Sequence, residues 1–216
     1  MSKFSFCYLI SLLLIFILVV PGFGQTRVGK LGVGVDGSMQ YIFGAGNVNT
    51  SPAIGYGLNM SYSIMEGLGI RSKIAYNQLS WKASTGASAT TDLMSLNFYL
   101  SGDLMPNSPF NIFVLGGGGF AFYDPKQPDG SHTTGISSFD VHYIGGLGAD
   151  YFLSEFWSIT LMGEYVLTNS KYYNGPLSSD NDSFLRGSIQ IRYHFFDQSF
   201  ITKLLEAEHE RSKQSK

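Results

Sequence analysis

Beyond its first residues the chain has no cysteine, because the single one, Cys7, lies inside an N-terminal apolar run. Disulfides, cysteine metal sites and thiol nucleophiles are therefore excluded together from the rest of the chain. Charge is scarce as well: 14% of residues are charged, the formal net charge is −2, and no basic stripe is present, so the electrostatic footprint of a nucleic-acid binder is missing. After Gln25 no stretch reaches the roughly 20 consecutive apolar residues of a membrane-spanning helix. What is plentiful is glycine and aromatic side chains, with 26 Gly, 13 Tyr and 17 Phe, a composition suited to a sheet with close backbone approaches. A length of 216 residues leaves room for one all-β domain with a leader and a tail.

Lys3 precedes an apolar run from Phe4 to Val20, which ends in Pro21, Gly22, Phe23 and Gly24. A basic start, an apolar centre and small residues at a break predict a signal peptide over residues 1–24, cut after Gly24. A retained membrane helix is the alternative, since the run is near the lower length limit for spanning. Cys7 lies far upstream of the cut, so it is not placed as the lipidated cysteine of a lipoprotein.

Downstream, side chains alternate with period two, as they do on the two faces of a strand. Leu185, Gly187, Ile189, Ile191, Tyr193 and Phe195 form one face of the last segment, and Arg186, Ser188, Gln190, Arg192 and His194 the other. Trp157, Ile159, Leu161, Gly163, Tyr165 and Leu167 oppose Ser158, Thr160, Met162, Glu164 and Thr168, and Phe139, Val141, Tyr143, Gly145, Leu147, Ala149 and Tyr151 oppose Asp140, His142, Gly146, Gly148 and Asp150. Earlier segments place Asp36, Arg71, Lys73, Tyr99 and Asp103 on polar faces, opposite Val33, Val35, Leu58, Ile70, Ile74, Leu96 and Phe98. The stretch Asn111 to Tyr123, with Gly116 to Gly119, counts as a strand whose facing stays open.

None of the apolar faces carries a charge. An outward Lys or Arg at mid-membrane costs about 2–4 kcal/mol, so a lipid-facing wall enforces that exclusion where water would not. Glu66 with Gly67, Pro106 to Ser108, and Ser154 with Glu155 are short links; Gly44–Pro52, Ala83–Thr91, Asp124–Gly135 and Asn169–Asp182 are long ones. Short turns at one end and long loops at the other match an outer-membrane barrel with periplasmic turns, and an even strand number puts both termini in the periplasm. Aromatic residues gather near strand ends, at the two headgroup levels. The expected architecture is all-β: an eight-stranded antiparallel up-and-down transmembrane β-barrel over residues 25–196, with a periplasmic tail over 197–216.

This pattern from Lys30 to Phe196 resembles the barrel domain of the outer membrane protein A and opacity protein superfamily. The resemblance implies that the last strand is an insertion signal for the barrel assembly machinery, with Ile189, Ile191, Tyr193 and Phe195 at the matching alternate positions. Chain continues past Phe196, and Asp197 to Lys216 is too short for the peptidoglycan-binding domain of some relatives, so that role is not transferred. Phe200, Ile201, Leu204 and Leu205 followed by charged residues fit either a short amphipathic helix or a frayed end.

Two signals mislead. Gly32-Val33-Gly34-Val35-Asp36-Gly37 spells a dinucleotide fingerprint, but here it continues a strand instead of opening a helix. Four histidines suggest a metal, yet His132 falls in a loop, His209 in the tail, and His142 and His194 lack ligand spacing. No cofactor, metal or catalytic site is assigned.

The interior is instead expected to hold a polar network of Asp36, Arg71, Lys73, Asp103, Asp140, His142, Asp150, Glu164, Arg186, Gln190, Arg192 and His194, because eight-stranded barrels are just wide enough for side chains to fill. Glu164 is expected to pair with Arg186 or Arg192. The leading functional expectation is a structural or surface-interaction barrel without a wide pore, whose partners are membrane lipid and an extracellular partner met by loop residues such as Tyr172, Tyr173, Asn174 and Pro176. A lipid-modifying enzyme would need Ser137 or Ser138 within reach of His142 or His132. A narrow ion conductor and a soluble ligand carrier are the remaining alternatives, and the carrier would reverse the apolar and polar faces.

Overall fold

The computed structural model describes residues 27–43, 50–82, 88–126, 129–132, 138–173 and 181–195. The predicted leader with its cut after Gly24, the 197–216 tail, Ser137, Asn174, Pro176 and His209 lie outside the described residues.

Eight long strands follow one another: β1 (Leu31–Phe43), β2 (Ala53–Met65), β3 (Leu68–Lys82), β4 (Ser88–Asp103), β5 (Phe110–Lys126), β6 (Phe139–Phe152), β7 (Trp157–Thr168) and β8 (Ser183–Phe195). A two-residue piece, Thr50–Ser51, precedes β2 across Pro52 and pairs with the end of β3. Each strand pairs antiparallel with its neighbour in sequence, and β1 also pairs with β8, from Leu31 opposite Phe195 to Phe43 opposite Ser183. That last pairing closes the sheet into an up-and-down barrel and removes both edges, which a bilayer requires because it offers backbone groups no water.

The short links are tight. Gly67 turns β2 into β3 with φ of 80°, a left-handed conformation that side-chain-bearing residues rarely adopt. In the next turn Asn111 Oδ1 accepts from Met105 N at 3.0 Å, and in the third Ser154 Oγ accepts from the backbone of Phe156 and Trp157.

The period-two faces stand as read. Val35, Leu58, Ile74, Leu100, Tyr143, Leu147, Leu161, Ile189 and Ile191 are exposed, while Asp36, Arg71, Lys73, His142, Glu164, Arg186 and Arg192 are buried. On the outside, Tyr193 packs against Trp157 at 5.0 Å and Phe195 at 4.7 Å near the turns, and Tyr56 meets Tyr76 at 5.5 Å towards the loops.

Two strand ends differ from the sequence expectation. Ser88–Thr91 and Asp124–Lys126 are strand, not loop, because Thr90 pairs with both Ser80 and Lys126. Outward residues here are polar: Asp92 accepts from Tyr76 Oη at 2.9 Å and Gln78 Nε2 at 3.0 Å, and pairs with Lys126 at 2.5 Å. Strands that rise past the hydrocarbon lose the apolar outer face that marked them in the sequence. The open register of β5 resolves with Asn111, Phe113, Leu115, Ala121 and Tyr123 inward and Val114, Phe120 and Phe122 outward.

Candidate functional site

The interior is built in layers. Directly paired Glu164 on β7 and Arg186 on β8 form two hydrogen bonds, Nε to Oε2 at 2.7 Å and Nη2 to Oε1 at 2.8 Å. Tyr99 on β4 crosses the barrel and donates to Glu164 Oε1 at 2.6 Å. Lys73 lies 2.9 Å from Asp36 and 3.5 Å from Glu164. A carboxylate that accepts a planar fork and a phenol, with an ammonium charge nearby, has what a buried charge needs to persist.

A second layer sits nearer the turns around Asp150. Arg71 reaches it at 2.7 Å and Arg192 at 3.1 Å, while Thr160 donates to it at 2.5 Å. Arg192 also donates to Gln190 Oε1 at 3.1 Å, and Arg71 lies 3.8 Å from Asp103 and stacks over Phe113 at 3.6 Å. His142 and His194 do not meet: His142 Nε2 contacts Asn97 Oδ1 at 2.6 Å, and His194 Nε2 contacts Ser158 Oγ at 2.8 Å. Gly119 makes the first contact possible, since a Cβ there would stand 2.7 Å from Asn97 Oδ1 and 2.8 Å from His142 Nε2. Among the described residues no group of His, Cys, Asp and Glu is arranged to hold a metal ion.

Both ends hold residues that the period-two reading had not placed. At the turn end Arg27, which precedes β1, stacks over Phe152 at 3.9 Å and donates to the Ser108 carbonyl. Beside it a cavity of about 20 Å³ is bounded by Arg27, Arg71, Asp103, Asp150, Arg192 and His194, and a second of about 10 Å³ reaches Lys73 and Tyr99. Spaces of that size suit single water molecules, not a channel.

At the loop end the inward face turns apolar, through Ile42, Leu79, Leu93, Tyr123, Ile144, Val166 and Phe184. Tyr173, placed by sequence at an exposed loop tip, is instead fully buried in this mouth. Its Oη donates to Asp140 at 3.1 Å and its N to Asp182 at 2.9 Å. Burial and the Asp140 charge push its hydroxyl above the usual tyrosine range. Asp140, the second residue of β6, therefore lies at the mouth and apart from the ion layers. A tyrosine that folds back across a loop has no sequence period, so nothing local foretold it. Tyr172 stays half-buried next to it.

The serine–histidine pairs are not brought together among the described residues. His142 points inward to Asn97, Ser138 is exposed at the start of β6, and His132 pairs with Asp124 at 2.8 Å.

Comparison with known proteins agrees with the geometry. Residues 10–195 match the family model of the outer membrane protein beta-barrel domain. The fold is similar to Neisserial surface protein A, at 14% identity over 77% of this chain and 99% of that one, with a TM-score of 0.56. It is similar to Ail, the attachment invasion locus protein of Yersinia pestis solved with the heparin analogue sucrose octasulfate, at 14% identity, 78% and 99% coverage and a TM-score of 0.54. OprG of Pseudomonas aeruginosa gives 16% identity, 81% and 99% coverage and a TM-score of 0.52. At such identities the likeness is one of fold. No curated protein matches the chain.

Proposed function

Because the chain belongs to the outer membrane protein beta-barrel domain family, we propose that this outer-membrane barrel acts as a rigid, plugged scaffold that presents its loop end outside the cell. The observation that carries this reading is the filled interior. Among the described residues, two ion layers, an apolar mouth and Arg27 occupy the space a pore would need, with cavities of about 20 and 10 Å³ beside the ion layers. A rigid barrel then has its loops to offer to a partner, the usual place for binding on such scaffolds.

The same reading places the turns and both termini in the periplasm, has the leader removed after Gly24, and gives Ile189, Ile191, Tyr193 and Phe195 to the assembly machinery as the insertion signal. Their outward, lipid-facing row on β8 supports that role. The inward side chains of Asp36, Arg71, Lys73, Asp150, Glu164, Arg186 and Arg192 serve as a structural plug, and the role is non-enzymatic.

Fractionation and planar-bilayer recording test it together. The expected result is outer-membrane recovery, a gel shift on boiling, protease cleavage of the long loops in intact cells, and no sustained open current. Steady conductance would overturn the plug. A lipid A profile that changes when the protein is deleted would overturn the non-enzymatic role.

A further inference from the structure

At the loop-end mouth one of the protein's own side chains occupies the space between two aromatic rings and a carboxylate. Tyr173 packs its ring on Tyr123 at 4.6 Å and on Phe184 at 6.3 Å. Its hydroxyl donates to a carboxylate with an unusual environment. Asp36, Asp103, Asp150 and Glu164 each have a Lys or Arg within 4.0 Å, whereas among the described residues no cation reaches Asp140. Asp140 is 6% exposed and is served, among the described residues, by neutral donors alone: Tyr173 Oη at 3.1 Å, Asn169 N at 3.3 Å and the backbone N–H groups of Val141 and Ser170. Burying a carboxylate without a counter-charge is disfavoured, and the cost falls when a cation arrives. The loop's own lysine, Lys171, is directed elsewhere, 5.7 Å above the Tyr172 ring.

We propose that Asp140, Tyr123 and Phe184 form a binding pocket for a small organic cation with an apolar body, and that Tyr173 is the built-in occupant which such a ligand displaces. The phenol imitates the ligand in part: its ring fills the space between the aromatic walls and its O–H reaches the carboxylate. An ammonium adds what the phenol lacks, a positive charge against Asp140 and against the negative faces of Tyr123 and Phe184. A neutral aromatic gains only the packing, and an anion is repelled. The pocket rests on the proposed orientation only for the side from which a ligand arrives, since its chemistry is the same in either direction.

The test uses the full refolded barrel in non-ionic detergent micelles, with calorimetric titration of benzylammonium and of its neutral counterpart benzyl alcohol. Wild-type protein should bind the cation about tenfold more tightly than the alcohol, and Tyr173→Gly should bind it more tightly again by about tenfold, because the occupant is gone. Asp140→Asn should bring the two probes to equal affinity. Equal affinities in the wild type, or a preference for the cation that survives Asp140→Asn, would overturn the pocket. Binding confined to Tyr173→Gly would also overturn it, by making Tyr173 a permanent stopper. If Asp140→Asn does not give a heat-modifiable barrel, the two-probe comparison in wild type and Tyr173→Gly decides alone. Binding in micelles together with loops that resist protease in intact cells would keep the pocket and reverse the orientation.

Discussion

Arg186 and Glu164 stand directly opposite each other on β8 and β7 and are joined through two nitrogens of one guanidinium, at 2.7 and 2.8 Å, with both side chains fully buried. Removing only one partner leaves a charge stranded in the barrel. Arg186→Leu should therefore lower unfolding free energy by about 3–5 kcal/mol, with Lys73 at 3.5 Å from Glu164 holding the loss towards the lower end. The double variant Arg186→Leu with Glu164→Leu should recover much of it. Urea unfolding in lipid vesicles measures both, and a double variant as unstable as the single one would mean the pair is net stabilising.

The outer face of β3 provides an internal ruler for the membrane. Ile74 and Gln78 both point outward, yet Gln78 belongs to the polar group around Asp92 while Ile74 lies among apolar neighbours. Ile74→Arg should cost about 2–4 kcal/mol, and Gln78→Arg close to nothing, because the charge at 78 stays in water. Equal costs in vesicle unfolding would place the hydrocarbon boundary elsewhere.

How much could be read in the sequence follows from where the membrane imposes its rule. Between the headgroup levels most strands set apolar residues outward and small or polar ones inward, so Val35 and Asp36, or Ile191 and Arg192, declare their faces. Above that level the rule lapses: outward Asp92 and Lys126 look like loop residues although they are paired strand. In β5 both faces are apolar, with Phe113 and Leu115 inward against Val114 and Phe120 outward, and alternation carries no signal. The ion pairs were legible as a set of charges, but not as partners: Glu164 had two arginines to choose from, and the cross-strand register sets Arg186 opposite it, while Arg192, opposite Ser158, reaches Asp150 two strands away at 3.1 Å. Arg27 and Tyr173 lie outside the alternating strands, and only the closed barrel shows that its two mouths receive them.

Two glycines of the barrel wall should respond oppositely to substitution. Gly119 faces inward, where an added Cβ would press on the Leu96 carbonyl as well as on Asn97 and His142. Gly163 faces outward with nothing within 4 Å. Gly119→Val should cost about 1–3 kcal/mol through overpacking, while Gly163→Val should be neutral or slightly stabilising because it adds lipid-facing apolar surface and a better strand former. The boiling temperature at which the folded gel band is lost ranks the two variants against wild type.

Hydration inside the barrel should be one-sided. The two small cavities touch Ser61, Arg71, Asn59 and Lys73 at and above the turn end, whereas Leu79, Leu93 and Tyr173 form part of a buried apolar cluster at the loop end. A chain beginning at Gln25 has no thiol of its own, so single cysteines report local access without background. Ser61→Cys, half-buried at the edge of the larger cavity, should react with a small methanethiosulfonate reagent in minutes, and Arg27→Ala should quicken that reaction by opening the turn-end mouth. Leu93→Cys, 1% exposed beneath the apolar mouth, should stay unlabelled until the barrel is boiled or Tyr173 is replaced by Gly. Rapid labelling of Leu93→Cys in the otherwise unaltered barrel would mean that water enters from the loop end and that Tyr173 does not seal it.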